Sequence, residues 1–91
     1  MRKYIIERDM PGVGRQSSDG LSAAAQRSNK VLAELGHDIH WLESYVTGDK
    51  IFCVYVARDP SLIEEHAAKS GFPATQISEV RAVIDPSTAG A

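Results

Sequence analysis

Lys3 to Arg8 is a compact, β-prone run that stops at Asp9-Met10-Pro11-Gly12-Val13-Gly14, a string of turn formers, and it reads as a first strand. From Ser22 to Leu35 the chain is rich in alanine. Leu21, Ala25, Ser28, Leu32 and Leu35 fall on one helical stripe, and Gly36 stands where a C-cap belongs. Asp19 or Ser22 can cap the start of this helix. Ile39–Val46 and Ile51–Ala57 are β-rich runs on either side of Thr47-Gly48-Asp49-Lys50, which predicts a hairpin with Gly48 first in a two-residue type II′ loop. That register sets Val46 against Ile51, Tyr45 against Phe52, Ser44 against Cys53, Glu43 against Val54 and Leu42 against Tyr55. A slip of one residue would exchange the faces. Asp59-Pro60 then opens a second helix, a capping residue followed by proline at the first helical position, and Gly71 closes it. Its inward stripe is Ile63, His66, Ala67 and Ser70. Ile77 to Ile84 alternates apolar and polar residues and predicts a fourth strand.

Two strand-helix-strand units joined by a hairpin define an α+β, ferredoxin-like β-α-β-β-α-β domain. It has a four-stranded antiparallel sheet with both helices on one face. Right-handed crossovers give the strand order four-one-three-two. The other face then carries Trp41, Tyr45, Phe52, Val54 and Val56, an apolar set that water covers poorly, so a homodimer joined through this face is expected.

Length limits the chain to one core, because 91 residues divided in two would bury too little apolar surface in either half. The domain is expected to occupy residues 1–85, followed by a mobile tail of small residues over 86–91. With 43% hydrophobic and 24% charged residues the composition is that of a globular protein. A net charge of -2 provides no basic footprint for nucleic acid or for an anionic membrane surface. The apolar run at the N-terminus is broken by Glu7 and is too short for a signal peptide, and no stretch reaches membrane-spanning length. Cytoplasmic residence is the expectation.

Candidate chemistry is sparse. Cys53 is the single cysteine, which excludes an intrachain disulfide and an all-cysteine metal site. It can be a buried apolar filler, a metal ligand or a reactive thiol. His66 shares a helical stripe with apolar residues, so it is either a hydrogen-bonded core histidine or a ligand. His37 and His40 are three apart at the start of the second strand, a spacing that converges in a turn but not in an extended strand. Glu7 can complete a metal shell or pair with Arg81. Glu43, on a mostly apolar face, needs a cation, a metal or a wet rim. The glycines of residues 11–14 lack the spacing of a phosphate-binding loop, and Asp9, Asp19 and Asp38 do not form a calcium loop. A Cys53–His66 ion pair is conceivable, yet a thiol within a strand usually lacks the exposure of a reactive cysteine.

Three segments together resemble a known family: Tyr4-Ile5-Ile6-Glu7-Arg8-Asp9-Met10-Pro11-Gly12; Trp41-Leu42-Glu43-Ser44-Tyr45-Val46 through Phe52-Cys53-Val54-Tyr55-Val56-Ala57; and Gly71-Phe72-Pro73-Ala74 before Ile77-Ser78-Glu79-Val80. They look like the domain-of-unknown-function 4242 family of small bacterial proteins, especially its actinobacterial nickel-binding members. The resemblance covers nearly the whole chain and implies a dimeric ferredoxin-like fold that binds nickel. Some members carry histidine at the position of Glu43. Nickel accepts imidazole, thiolate and carboxylate donors, so the expected ligands are drawn from Cys53, His66, His40 and Glu7. Storage, buffering or delivery of the metal is the role that follows. The alternatives are a small dimeric enzyme of monooxygenase or isomerase type using a cavity near the sheet, an analogy of fold only, and a scaffold without ligand.

Overall fold

The computed structural model describes residues 1–90, and its elements follow the expected order. They are β1 (Arg2–Asp9), α1 (Ser18–Leu35), β2 (Ile39–Val46), β3 (Lys50–Ala57), α2 (Pro60–Ser70) and β4 (Gln76–Glu79), with short 3₁₀ turns at Val13–Arg15 and Pro86–Ala89. The sheet runs β2-β3-β1-β4 with every neighbouring pair antiparallel, the order that right-handed crossovers require. This is the ferredoxin-like arrangement.

Alternation along the strands makes one buried face. Tyr4, Ile6 and Arg8 of β1 and Cys53, Tyr55 and Ala57 of β3 are all buried, and all of these but Arg8 pack with Ile39 and the helical Ile63 into the core. The full inward stripe expected of α2 (Ile63, His66, Ala67 and Ser70) is buried. Asp59 caps this helix, its Oδ1 accepting from the Ser61 N–H at 2.9 Å, and Gly71 ends it at a φ of 79°, a left-handed conformation that glycine adopts without strain.

Four expectations are corrected. α1 begins at Ser18, capped by Ser17 rather than by Asp19 or Ser22: the Ser17 hydroxyl accepts from the Gly20 N–H at 3.1 Å, leaving Asp19 in the first turn where the helix dipole favours it. The hairpin keeps the expected pairs from Val46–Ile51 to Glu43–Val54, but a bulge follows and sets Trp41, not Leu42, opposite Tyr55. One inserted residue reverses side-chain direction, so Trp41 packs against the helix-side core instead of the open face. Gly48 lacks the positive φ of a type II′ loop. The turn is closed by Thr47, whose N–H donates to the Lys50 carbonyl at 2.8 Å and whose Oγ1 accepts from the Lys50 N–H at 3.2 Å. Finally β4 ends at Glu79 rather than Ile84. Its last pair with β1 is Glu79–Tyr4; the Val80 N–H still donates to the Lys3 carbonyl, and beyond it Val83 and Ile84 are exposed.

The hairpin tip is tied to the segment after β1. Met10 N–H donates to the Asp49 carbonyl, Gly12 N–H to Asp49 Oδ1 and Gly14 N–H to the Gly48 carbonyl, at 2.9, 2.8 and 3.0 Å. The approach is so close that a Cβ on Gly14 would lie 2.7 Å from the Thr47 carbonyl oxygen.

Candidate functional site

The sheet divides the four expected ligands into two pairs. Cys53 and His66 belong to the buried, helix-side face, whereas Glu7 pairs with Phe52 and His40 with Val56 on the opposite face. In β-sheet register His40 and Glu7 are four residues apart along the strand direction and two strands apart across it, on the order of 15 Å. One copy of the chain therefore cannot bring them to one ion. Glu7 instead pairs with Lys50 at 3.5 Å, and the expected partner Arg81 lies 3.4 Å from Glu79.

On the helix side, α2 drops His66 onto the centre of the sheet. Its Nε2 is 3.1 Å from the Ser28 hydroxyl of α1, its ring is tilted against Tyr55 with centroids 5.5 Å apart, and Nδ1 is buried without a partner. Burial, and secondarily the positive charge of Arg8, holds its pKa below the ordinary histidine value, while the Ser28 contact acts the other way. The Tyr55 phenol is pushed up, first by burial.

Arg8 is a buried charge that the sequence analysis does not single out. It is only 2% exposed; its Nε donates to Cys53 Sγ at 3.4 Å, Nη1 donates to the Pro73 carbonyl at 2.8 Å, and Nη2 has no partner. The signal was present in the alternation Tyr4, Ile6, Arg8, which assigns the guanidinium to the same side as the core residues. A dication beside this buried positive charge would be repelled at low dielectric, so Cys53 and His66 do not fit a metal in this arrangement.

The open face suits a metal better. Because of the bulge, His40 opposite Val56 and Glu43 opposite Val54 occupy successive positions on that face, about 7 Å apart at Cα. The Tyr45 hydroxyl donates to Glu43 Oε2 at 2.6 Å, which fixes the carboxylate and raises the phenol's pKa. Imidazole and carboxylate are suitable donors for nickel, yet two donors do not make a site. Among the described residues no three His, Cys, Asp or Glu side chains are grouped to hold an ion. Around this pair lie Ile5 and Tyr45, 40% and 54% exposed, with Phe52, Val54 and Val56 half-buried.

An open-faced four-stranded antiparallel sheet with two helices on its other side, an imidazole–carboxylate pair on the open face and a buried guanidinium beneath the helices, places the chain among small α+β proteins of ferredoxin-like fold. The chain belongs to the SCO4226-like family, described as nickel-responsive proteins, whose model matches residues 4–80. Its fold is similar to that in the crystal structure of SCO4226 from Streptomyces coelicolor A3(2), with a TM-score of 0.75 and 19% identity over 90% of this chain and 99% of that one. No curated protein matches the chain significantly. Among the described residues no helix is long and apolar enough to cross a membrane.

Proposed function

We propose that this protein binds a divalent transition metal, nickel foremost, for storage, buffering or delivery without turnover, and that it does so as a homodimer joined through the open sheet face. The observation that carries the reading is the bulge after Trp41, which makes His40 and Glu43 neighbours on that face. Two facing copies would supply four nitrogen and oxygen donors, a set that suits Ni(II) as well as Cu(II). The apolar surround of Ile5, Tyr45, Phe52, Val54 and Val56 supports the pairing of two copies. Membership of a family described as nickel-responsive, and the sequence resemblance to nickel-binding proteins, favour nickel among the divalent ions. Glu7, at the far end of the face, is a donor only for a second site built across the two copies.

Titration calorimetry with nickel tests this reading. Wild type should bind; His40→Ala and Glu43→Gln should each weaken binding by roughly tenfold or more, the scale of losing one ligand or its support, while Cys53→Ala binds as wild type. Loss of binding in Cys53→Ala with His40→Ala unaffected would transfer the site to the helix side. A wild-type protein that takes up no metal would remove the metal reading altogether.

A further inference from the structure

We propose that the cavity between α1 and the helix-side face of the sheet binds a small aromatic monocarboxylate, with the carboxylate on the Arg8 guanidinium. The cavity encloses about 200 Å³, and its walls include Leu21 and Ala25 of α1, Trp41 and Tyr55 of the sheet, and Phe72. Arg8 lines it as well. The lining extends from the buried Cys53 and Tyr55 to the exposed Val46, so the space communicates with solvent.

The charge argues for an anion. Arg8 is 2% exposed, forms no ion pair among the described residues, and leaves Nη2 unsatisfied. A buried cation without a counter-ion is costly, and its contacts, the Cys53 thiol, the Pro73 carbonyl and the Phe72 ring 5.8 Å away, include no carboxylate. An incoming carboxylate would pair the guanidinium with a charge-assisted hydrogen bond and occupy the unused donor.

The walls set the rest of the ligand. Apart from Arg8 and a few hydroxyls they are apolar and aromatic, which suits a ring packed edge or face against Trp41, Tyr55 and Phe72. An apolar cavity of about 150 Å³ is enough for benzene, so this one accommodates a single ring bearing one carboxyl group. A phosphate dianion would bring a second charge that a lone guanidinium cannot match. The proposal is independent of metal binding, which uses the other face.

Trp41 is the protein's only tryptophan and stands in the cavity wall, so its emission reports occupancy directly. The wild-type protein is titrated with benzoate, with benzyl alcohol as the uncharged counterpart and with acetate as the charge without the ring. Benzoate should give a saturable change, benzyl alcohol should bind roughly tenfold or more weakly for want of the charged contact, and acetate should do nothing up to about 10 mM, a range that covers millimolar affinity. Ala25→Leu, which fills the cavity, should abolish the benzoate response while circular dichroism and nickel binding stay as in wild type. Arg8→Met should lower benzoate to the level of the alcohol; if that variant does not fold, the acid–alcohol comparison on wild type decides. No saturable response to benzoate, an equal response to acetate or to the alcohol, or an unchanged response in Ala25→Leu would each overturn the proposal.

Discussion

The indole Nε1 of Trp41 donates to the hydroxyl of Ser44 at 2.9 Å, bridging the two ends of the bulge in β2. The bond holds the ring on the helix side, and with it the reversal that brings His40 beside Glu43. Ser44→Ala leaves a half-buried indole N–H without its partner and should cost about 1 kcal/mol. The check is a urea titration followed by tryptophan emission: a lower midpoint, with a native-state emission maximum shifted from wild type. An unchanged spectrum and midpoint would mean that packing alone fixes the ring.

His66 sets a pH dependence of stability. Its pKa is lowered in the folded protein, so below the ordinary histidine value of about 6.5 the unfolded chain takes up a proton that the native state refuses. Stability contributed by the neutral imidazole is complete above that pH and declines as pH falls toward the lowered value. Denaturation midpoints measured at pH 7.5 and pH 5.5 should therefore fall with acidification, and His66→Gln should flatten the dependence. An equally steep decline in the variant would assign the effect to other groups.

Gly14 is required for space rather than for backbone freedom. A Cβ there would stand 2.7 Å from the Thr47 carbonyl oxygen and 2.9 Å from the Gly48 Cα, and both are backbone atoms that cannot swing aside. Gly14→Ala should destabilise by roughly 1–3 kcal/mol, the usual cost of overpacking. Gly48→Ala, which meets nothing within 4 Å, is the matched control and should change stability far less. Thermal melts of the two variants make the comparison.

The proposed dimer places Val54 at the centre of its contact, between Ile5 of β1 and Glu43 of β2. Val54→Asp should yield a monomer by sedimentation velocity with circular dichroism unchanged, because the substituted side chain points away from the helices. A variant that remains dimeric would put the interface elsewhere.

Most of the architecture was legible because periodicity is a strong signal when one face is buried. The inward stripe of α2 follows from spacing, the Asp59-Pro60 start of α2 from capping chemistry, and four hairpin pairs from the two-residue length of the loop at Gly48-Asp49, even though its turn type differs. What failed was what spacing cannot encode. No residue type marks the bulge at Leu42, so alternation alone assigns Trp41 to the wrong face; the alternation of residues 77–84 likewise continues past Glu79, where the paired ladder to β1 ends. Of the candidate chemistry, the burial of His66 and Cys53 was readable. The burial of Arg8 beside them is less legible, since a strand-end arginine ordinarily reaches water by its long stem.

The strand order makes the first strand of this domain the one completed last. β1 lies inside the sheet, yet its second neighbour is β4, whose pairs Tyr4–Glu79 and Glu7–Gln76 join nearly opposite ends of the chain. A chain cut after Gly71 would retain both helices and the hairpin while baring the hydrogen-bonding edge of β1 along Tyr4, Ile5 and Ile6. Such an apolar, unpaired edge is a template for another strand, so loss of the segment that carries this four-residue element would convert a closed sheet edge into a seed for aggregation.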